Sequence, residues 1–379
     1  MKKVRESNFE LMRIISMVFI VLWHIICHGN IIGNCKTPEV KSIFLALKYI
    51  FIVHVNSFVI LMGYFQCNKR FKLSKIMSLI FQIVFYSITV FLFLYIFGFI
   101  EKIDLTMIIG VLIPVSAVDY WFVASYLITY ILSNYINNFI NSFDQKGLKK
   151  FIILCFIIFS IIPFLTGMRL IKNDGYNFFH FIFLYIVGAY LNKYPLKNSR
   201  FFDNMSLNGY RIFVIFLFFL CSMCSFLLYD FGPTHNFSGN LFTYITNVLY
   251  SSQDSYASPI VIVQTICYFE FFKTLKIKSK IVNLISSCVF GIYLFHENTY
   301  LRIHLYKILK IDNGGFYGRR IFIDAFIAFV IIFTIGIVIE LIRKLFAKII
   351  VKTSLYKKTR IACLNFIKSF DYGSIKEGR

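Results

Sequence analysis

The sequence predicts an all-α fold, a polytopic integral membrane protein with about ten transmembrane helices and both termini in the cytoplasm. Three observations predict it. Apolar stretches of bilayer-crossing length recur along the chain. Charged residues are only 15% of the 379 positions and hydrophobic ones 58%, a balance unlike that of a soluble protein. Lys and Arg gather in alternate connections, so the net charge of +22 reads as membrane topology and not as nucleic-acid binding.

The first span, 8–28, lies in the stretch NFELMRIISMVFIVLWHIICHG. It is too long, and too polar in its second half, for a cleaved signal peptide. It carries Arg13, His24 and His28. Eleven residues separate Arg13 from His24, three turns plus roughly 20°, so both share one helix face about 16 Å apart along the axis. His28 follows one turn beyond. Ionisable groups inside a membrane helix are costly and usually face protein or a watery cavity. Two plainer readings stand beside this one. Arg13 could snorkel to a cytoplasmic headgroup layer, and His24 could be a packed polar residue bonded to a neighbouring helix.

Further spans are expected at roughly 43–65, 73–99, 119–141, 149–168, 176–194, 211–229, 256–273, 281–300 and 321–345. The apolar segment 105–116 is too short to span and ends near Pro114, so it reads as re-entrant or interfacial. Residues 1–350 form one integral membrane domain. Residues 351–379 form a basic cytoplasmic tail, which either lies on the inner leaflet or is unstructured. Nine cysteines are scattered, several within apolar segments, and the one CxxC, Cys221 and Cys224, reads as two small core residues with no histidines nearby, so neither a disulfide framework nor a bound metal is expected.

Several clusters could carry chemistry. Asn56–Phe65 (NSFVILMGYF) leads into the basic run Lys69, Arg70, Lys72 and Lys75. Gly63 there allows close helix packing. The basic run reads either as a topology signal or as a phosphate grip. Trp121, in Asp119-Tyr-Trp-Phe-Val, is an interfacial aromatic or a platform for a sugar ring. Gly291–Asn298 (GIYLFHEN) sets Tyr293, His296 and Glu297 near the outer end of a span. There the His-Glu pair could orient an imidazole or bind a hydroxyl. The chain has no GxSxG elbow, no phosphate-binding Walker loop and no HExxH.

Taken together, these stretches resemble the membrane-bound acyltransferase family 3, which includes O-acetyltransferases of bacterial surface polysaccharides. The family pattern of Arg or Lys, ten residues, then His matches Arg13 and His24 in RIISMVFIVLWH. The second span ends like the family's Ser-Gly-Tyr, with Met62 in place of the serine. Lys69 and Lys72 resemble a basic pair that is more often arginine. Trp121 and Phe122 match its Trp-Phe, and Phe290–His296 its Phe-Gly-Ile-Tyr-Leu-x-His. The resemblance covers about residues 5–345.

The resemblance implies an enzyme of a bacterial cytoplasmic (inner) membrane. It would move an acyl group, most often acetyl, from cytoplasmic acyl-CoA to a hydroxyl of a saccharide, free or lipid-linked, on the outer side. Acetyl-CoA would be a substrate, with no bound cofactor, and membrane lipids the other partners. Arg13, Lys69, Arg70 and Lys72 would hold the phosphates. His24 would be the general base or a transient acyl carrier. His28, Trp121, Tyr293, His296 and Glu297 would support it or face the acceptor. The other classes to weigh are a transporter or flippase of a lipid-linked sugar, whose paired broken helices and repeat symmetry are not evident, and a glycan polymerase.

The basic-loop pattern predicts that reporters fused after Ser142, Arg200 and Lys280 all report cytoplasm. An outside signal at two of the three would overturn the topology.

Overall fold

The computed structural model describes residues 6–114, 120–167, 174–234, 255–311 and 318–350, and among these the elements are helices with no strand. In chain order they are α1 (Asn8–His28), α2 (Ile31–Asn34), α3 (Pro38–Phe51), α4 (His54–Gln66), α5 (Leu73–Ile96), α6 (Leu105–Leu112), α7 (Trp121–Ile131), α8 (Ser133–Asn141), α9 (Gln145–Phe156), α10 (Ile162–Thr166), α11 (Phe178–Lys193), α12 (Leu207–Thr234), α13 (Pro259–Lys273), α14 (Lys280–Ser286), α15 (Val289–His296), α16 (Thr299–Ile308) and α17 (Ile321–Ile350). The basic tail, Asp119 and residues 235–254 lie outside the described residues.

Among the described residues six helices are long and apolar enough to cross a membrane: Asn8–His28, Pro38–Gln66, Leu73–Ile96, Gln145–Thr166, Leu207–Tyr229 and Ile321–Ile349. They match six of the ten expected spans. The other four expected spans fall on shorter helices, and two of these breaks have visible causes. The stretch 119–141 turns polar after Leu132, where α8 reads SNYINNFIN. The stretch 281–300 is broken at Asn298, whose side-chain oxygen accepts from the backbone N–H groups of Tyr300 and Leu301 and so caps α16. That cap leaves His296 and Glu297 at the end of α15, not inside a continuous helix.

α1 is the central element, packing against α3, α4, α13, α14, α15 and α17. Such a position lets one helix carry polar side chains that never meet lipid. The span Pro38–Gln66 bends at Ile52 and Val53, and His54 Nδ1–H donates to the Phe51 carbonyl (2.7 Å), satisfying a group freed by the bend. α4 and α11 meet backbone to backbone. A Cβ on Gly63 would overlap the Tyr185 carbonyl, and one on Gly188 the Ile60 carbonyl. This bears out the close-packing role read for Gly63.

A second buried knot ties α5, α15 and α17. Glu340 is 1% exposed and accepts from Gln82 (3.0 Å), Tyr86 (3.1 Å) and both arms of Arg343 (2.8 and 2.7 Å). Gly291 makes room for it, since a Cβ there would press on Tyr86 Oη and Glu340. The outward faces of α5, α9, α12 and α17 carry exposed Leu, Ile and Phe, as lipid contact requires.

Candidate functional site

Two cavities meet inside the bundle. The larger, about 540 Å³, is lined by Arg13, Trp23, His24, His28, Lys48, His54, Trp121, Tyr293, Glu297 and Arg302, among others. The smaller, about 250 Å³, is lined by Arg13, Gln66, Lys69, Lys75 and Tyr130, with apolar neighbours. Arg13, Phe58, Leu79 and Tyr126 stand in both walls, so the cavities adjoin at that ring. A third cavity, of about 210 Å³ beside Phe159 and Phe183, contains none of the expected site residues.

In the larger cavity α1 meets the turn between α15 and α16. His24 Nδ1 lies 3.0 Å from His296 Nε2 and 3.1 Å from Glu297 Oε1. His28 Nε2 lies 3.2 Å from the same carboxylate oxygen, and Arg302 Nη1 donates to the other, Oε2, at 3.2 Å. The proton positions follow from the partners. A carbonyl only accepts, so His296 Nδ1–H donates to Ile292 O (2.7 Å), and a neutral His296 then offers Nε2 as an acceptor. His24 therefore carries its proton on Nδ1, directed at His296 Nε2 with Glu297 alongside. Its Nε2 keeps the lone pair and is the basic atom.

This is the arrangement of a nucleophile-activating imidazole: one ring nitrogen pinned by acceptors, the other left basic. The helical register brings it about. His24 and His28 are one turn apart on α1 and share Glu297, and the Asn298 cap ends α15 so that Glu297 turns toward them. Donor atoms of His24, His296 and Glu297 also lie within 4.8 Å of one another. Among the described residues this is the one group able to hold a metal ion, and wide sequence separation hid it from any spacing rule.

At the other end, Arg13 Nη1 donates to Glu10 Oε1 at 2.8 Å, and Ser286 Oγ donates to Glu10 Oε2. Arg13 and Lys69 lie over the Phe65 ring, at 5.7 and 5.6 Å from its centre. Lys75, over Tyr130, joins them in the smaller cavity. Arg70 and Lys72 are exposed and stand outside that cavity's wall. The structure thus gathers Arg13 with Lys69 and Lys75, not with the full expected set. Met62, where the family pattern has serine, is buried in the smaller cavity's wall.

A family model described as an acyltransferase domain matches residues 6–342. The chain belongs to acyltransferase family 3. No curated protein and no solved structure matches it. Each family motif of this acyltransferase now has a physical place. The residues at either end of Arg-x10-His line one cavity, Gly291 of GIYLFHE admits the Glu340 knot, and His296 of the same motif accepts from His24. Trp121 packs on Tyr176 (4.5 Å between ring centres) and Tyr256 (6.0 Å), and all three line the large cavity.

Sequence reasoning missed Glu10, Lys48, His54, Tyr126, Tyr176, Tyr256 and Arg302. Glu10 had a signal, an acid three residues before Arg13 on the same face. Lys48 also had one, a charge inside an apolar span, whereas Tyr126 lies on α7 and Tyr176 and Tyr256 in the connections before α11 and α13, far from Arg13 and His24 in sequence.

The carboxylate's position predicts that Glu297→Gln yields folded, membrane-inserted acyltransferase with at least tenfold lower acyl transfer per folded molecule. Full activity of Glu297→Gln would make the His24 contact merely structural.

Proposed function

We propose that this acyltransferase takes an acyl group, most often acetyl, from acyl-CoA on the cytoplasmic side and passes it to a saccharide hydroxyl on the outer side. The observation carrying the reading is the pair of cavities adjoining at Arg13, Phe58, Leu79 and Tyr126, one holding Lys69 and Lys75, the other His24. Arg13 to His24 spans eleven residues of α1, about 16 Å along the axis. That is comparable to the reach of a pantetheine arm. The proposed setting is a bacterial cytoplasmic membrane with both termini inside and ten crossings, the shorter helices included.

In this reading the phosphates lie among Lys69, Lys75 and Arg13, and the arm passes the shared ring. His24 Nε2 takes the proton of the acceptor hydroxyl as its oxygen attacks the thioester carbonyl. The carbon–sulfur bond breaks, and the proton on His24 passes to the departing thiolate, so the imidazole returns to its starting form. Glu297 stabilises the transient imidazolium, and His296 and Glu297 hold its Nδ1–H in place. His28 shares that carboxylate from one turn away, a supporting place. Arg13 is already paired with Glu10, so it offers an ordered donor fork where the two cavities adjoin.

His24→Ala is expected to abolish acyl transfer from acetyl-CoA in protein that still inserts. More than about a tenth of wild-type activity would rule out base catalysis, which contributes roughly 10²–10⁴-fold. His28→Ala should cost less. In the same assay, Arg13→Ala and Lys75→Ala should raise the KM for acetyl-CoA while Arg13→Lys retains part of the affinity. An unchanged KM for both alanine variants would remove the phosphate role.

A further inference from the structure

Two imidazoles and a carboxylate come together where α1 meets the turn between α15 and α16, and their spacing has the dimensions of a metal site. His24 Nδ1 lies 3.0 Å from His296 Nε2 and 3.1 Å from Glu297 Oε1. One donor atom from each of the three lies within 4.8 Å of the others. Around a four-coordinate zinc ion, with bonds of about 2.0–2.1 Å, neighbouring donor atoms stand roughly 3.3 Å apart. Small shifts of the two rings therefore admit an ion among the three.

The donors are already oriented as ligands are. His296 Nδ1–H donates to Ile292 O (2.7 Å), which fixes that ring and leaves Nε2 with its lone pair. Arg302 Nη1 donates to Glu297 Oε2 (3.2 Å), which leaves Oε1 for an ion. Glu297 is 6% exposed. Among the described residues its Oε1 makes no hydrogen bond, although His24 and His28 stand beside it at 3.1 and 3.2 Å. His28 Nε2 is likewise buried without one. Buried polar atoms that lack a hydrogen bond mark a place for a further group. His24, His28 and Glu297 line the larger cavity, which gives an ion its way in. Two imidazoles with one carboxylate suit zinc, whereas magnesium and calcium prefer oxygen throughout.

We propose that His24, His296 and Glu297 bind a zinc ion, with His28 beside them, and that the bound ion switches acyl transfer off. A neutral imidazole has one proton. With Nδ1 of His24 on the metal, that proton sits on Nε2, so the nitrogen facing the acceptor hydroxyl has no lone pair to offer. His296 needs no change, because its Nε2 already carries no proton. Zinc binding stands on the geometry alone. The switching-off rests on the acyl-transfer reading, in which His24 Nε2 is the base.

The test uses purified full-length protein without a histidine tag, stripped of metal by a chelator. Zinc is titrated by calorimetry with magnesium as the comparison, and turnover of labelled acetyl-CoA is followed in the same samples. One zinc per chain and no magnesium are expected to bind the wild type. The zinc affinity should fall at least tenfold in His296→Gln and in Glu297→Gln, with size-exclusion elution confirming folded protein. Wild-type turnover should fall as the site fills and return on chelation. The turnover that remains in Glu297→Gln should need at least tenfold more zinc for half-inhibition. Cobalt bound to the wild type, a measurement that needs no variant, should show nitrogen and oxygen ligation without a thiolate band. No zinc on the wild type, undiminished affinity in either variant, or a cobalt spectrum with thiolate ligands overturns the site. Zinc that binds as expected while wild-type turnover is unchanged overturns the switching-off. Turnover that survives in His24→Ala defeats the acyl-transfer reading, and the zinc titration still decides the site.

Discussion

A carboxylate that is 6% exposed inside a membrane protein must be paid for by its surroundings, and Glu297 is held by three partners at once. Removing water from such a charge costs several kcal/mol unless cations or donors replace the solvent. Arg302 covers one oxygen, and the imidazoles of His24 and His28 face the other. Meeting that demand fixes α1, α15 and α16 relative to one another. The same demand orients His24, because its Nδ1–H points at His296 Nε2 with the buried carboxylate alongside.

The rest of the bundle surrounds that point with protein. α1 is surrounded by protein on many sides, so a helix with Glu10, Arg13, Ser16, His24 and His28 can stand within a bilayer. Ser16 is bonded to Ser57 and Tyr268, and Glu10 to Ser286, so the helix's polar groups off the cavity face are met by neighbours. Elsewhere packing is made tight by glycine. Gly63 and Gly188 bring α4 and α11 into backbone contact, and Gly291 lets the Glu340 knot close beside α15.

Much of this was legible in the sequence. Arg13, His24 and His28 share a helix face by simple periodicity, and the structure lines one cavity with all three. Gly63 announced a close crossing. The partnership of His24 with His296 and Glu297 was not readable from spacing, since 272 residues separate the two histidines. Only the motif resemblance brought those positions forward together. The basic run reads as a topology signal or as a phosphate grip by Lys69, Arg70 and Lys72, whereas the smaller cavity's wall holds Lys69 and, from the first turn of α5, Lys75, but not Arg70 or Lys72. Hydropathy alone could not foresee the break at Asn298, because an N-cap depends on one polar side chain within an apolar run. That break gives the site its carboxylate.

The central claim is that one protein-lined passage connects a donor on one side of the membrane with an acceptor on the other. Sealed proteoliposomes with labelled acetyl-CoA trapped inside, and a saccharide probe only outside, test it most directly. The account predicts labelled saccharide in the outer medium with the vesicles intact, and none with the His24→Ala protein. Label that appears on saccharide only when donor and acceptor share a compartment would contradict it.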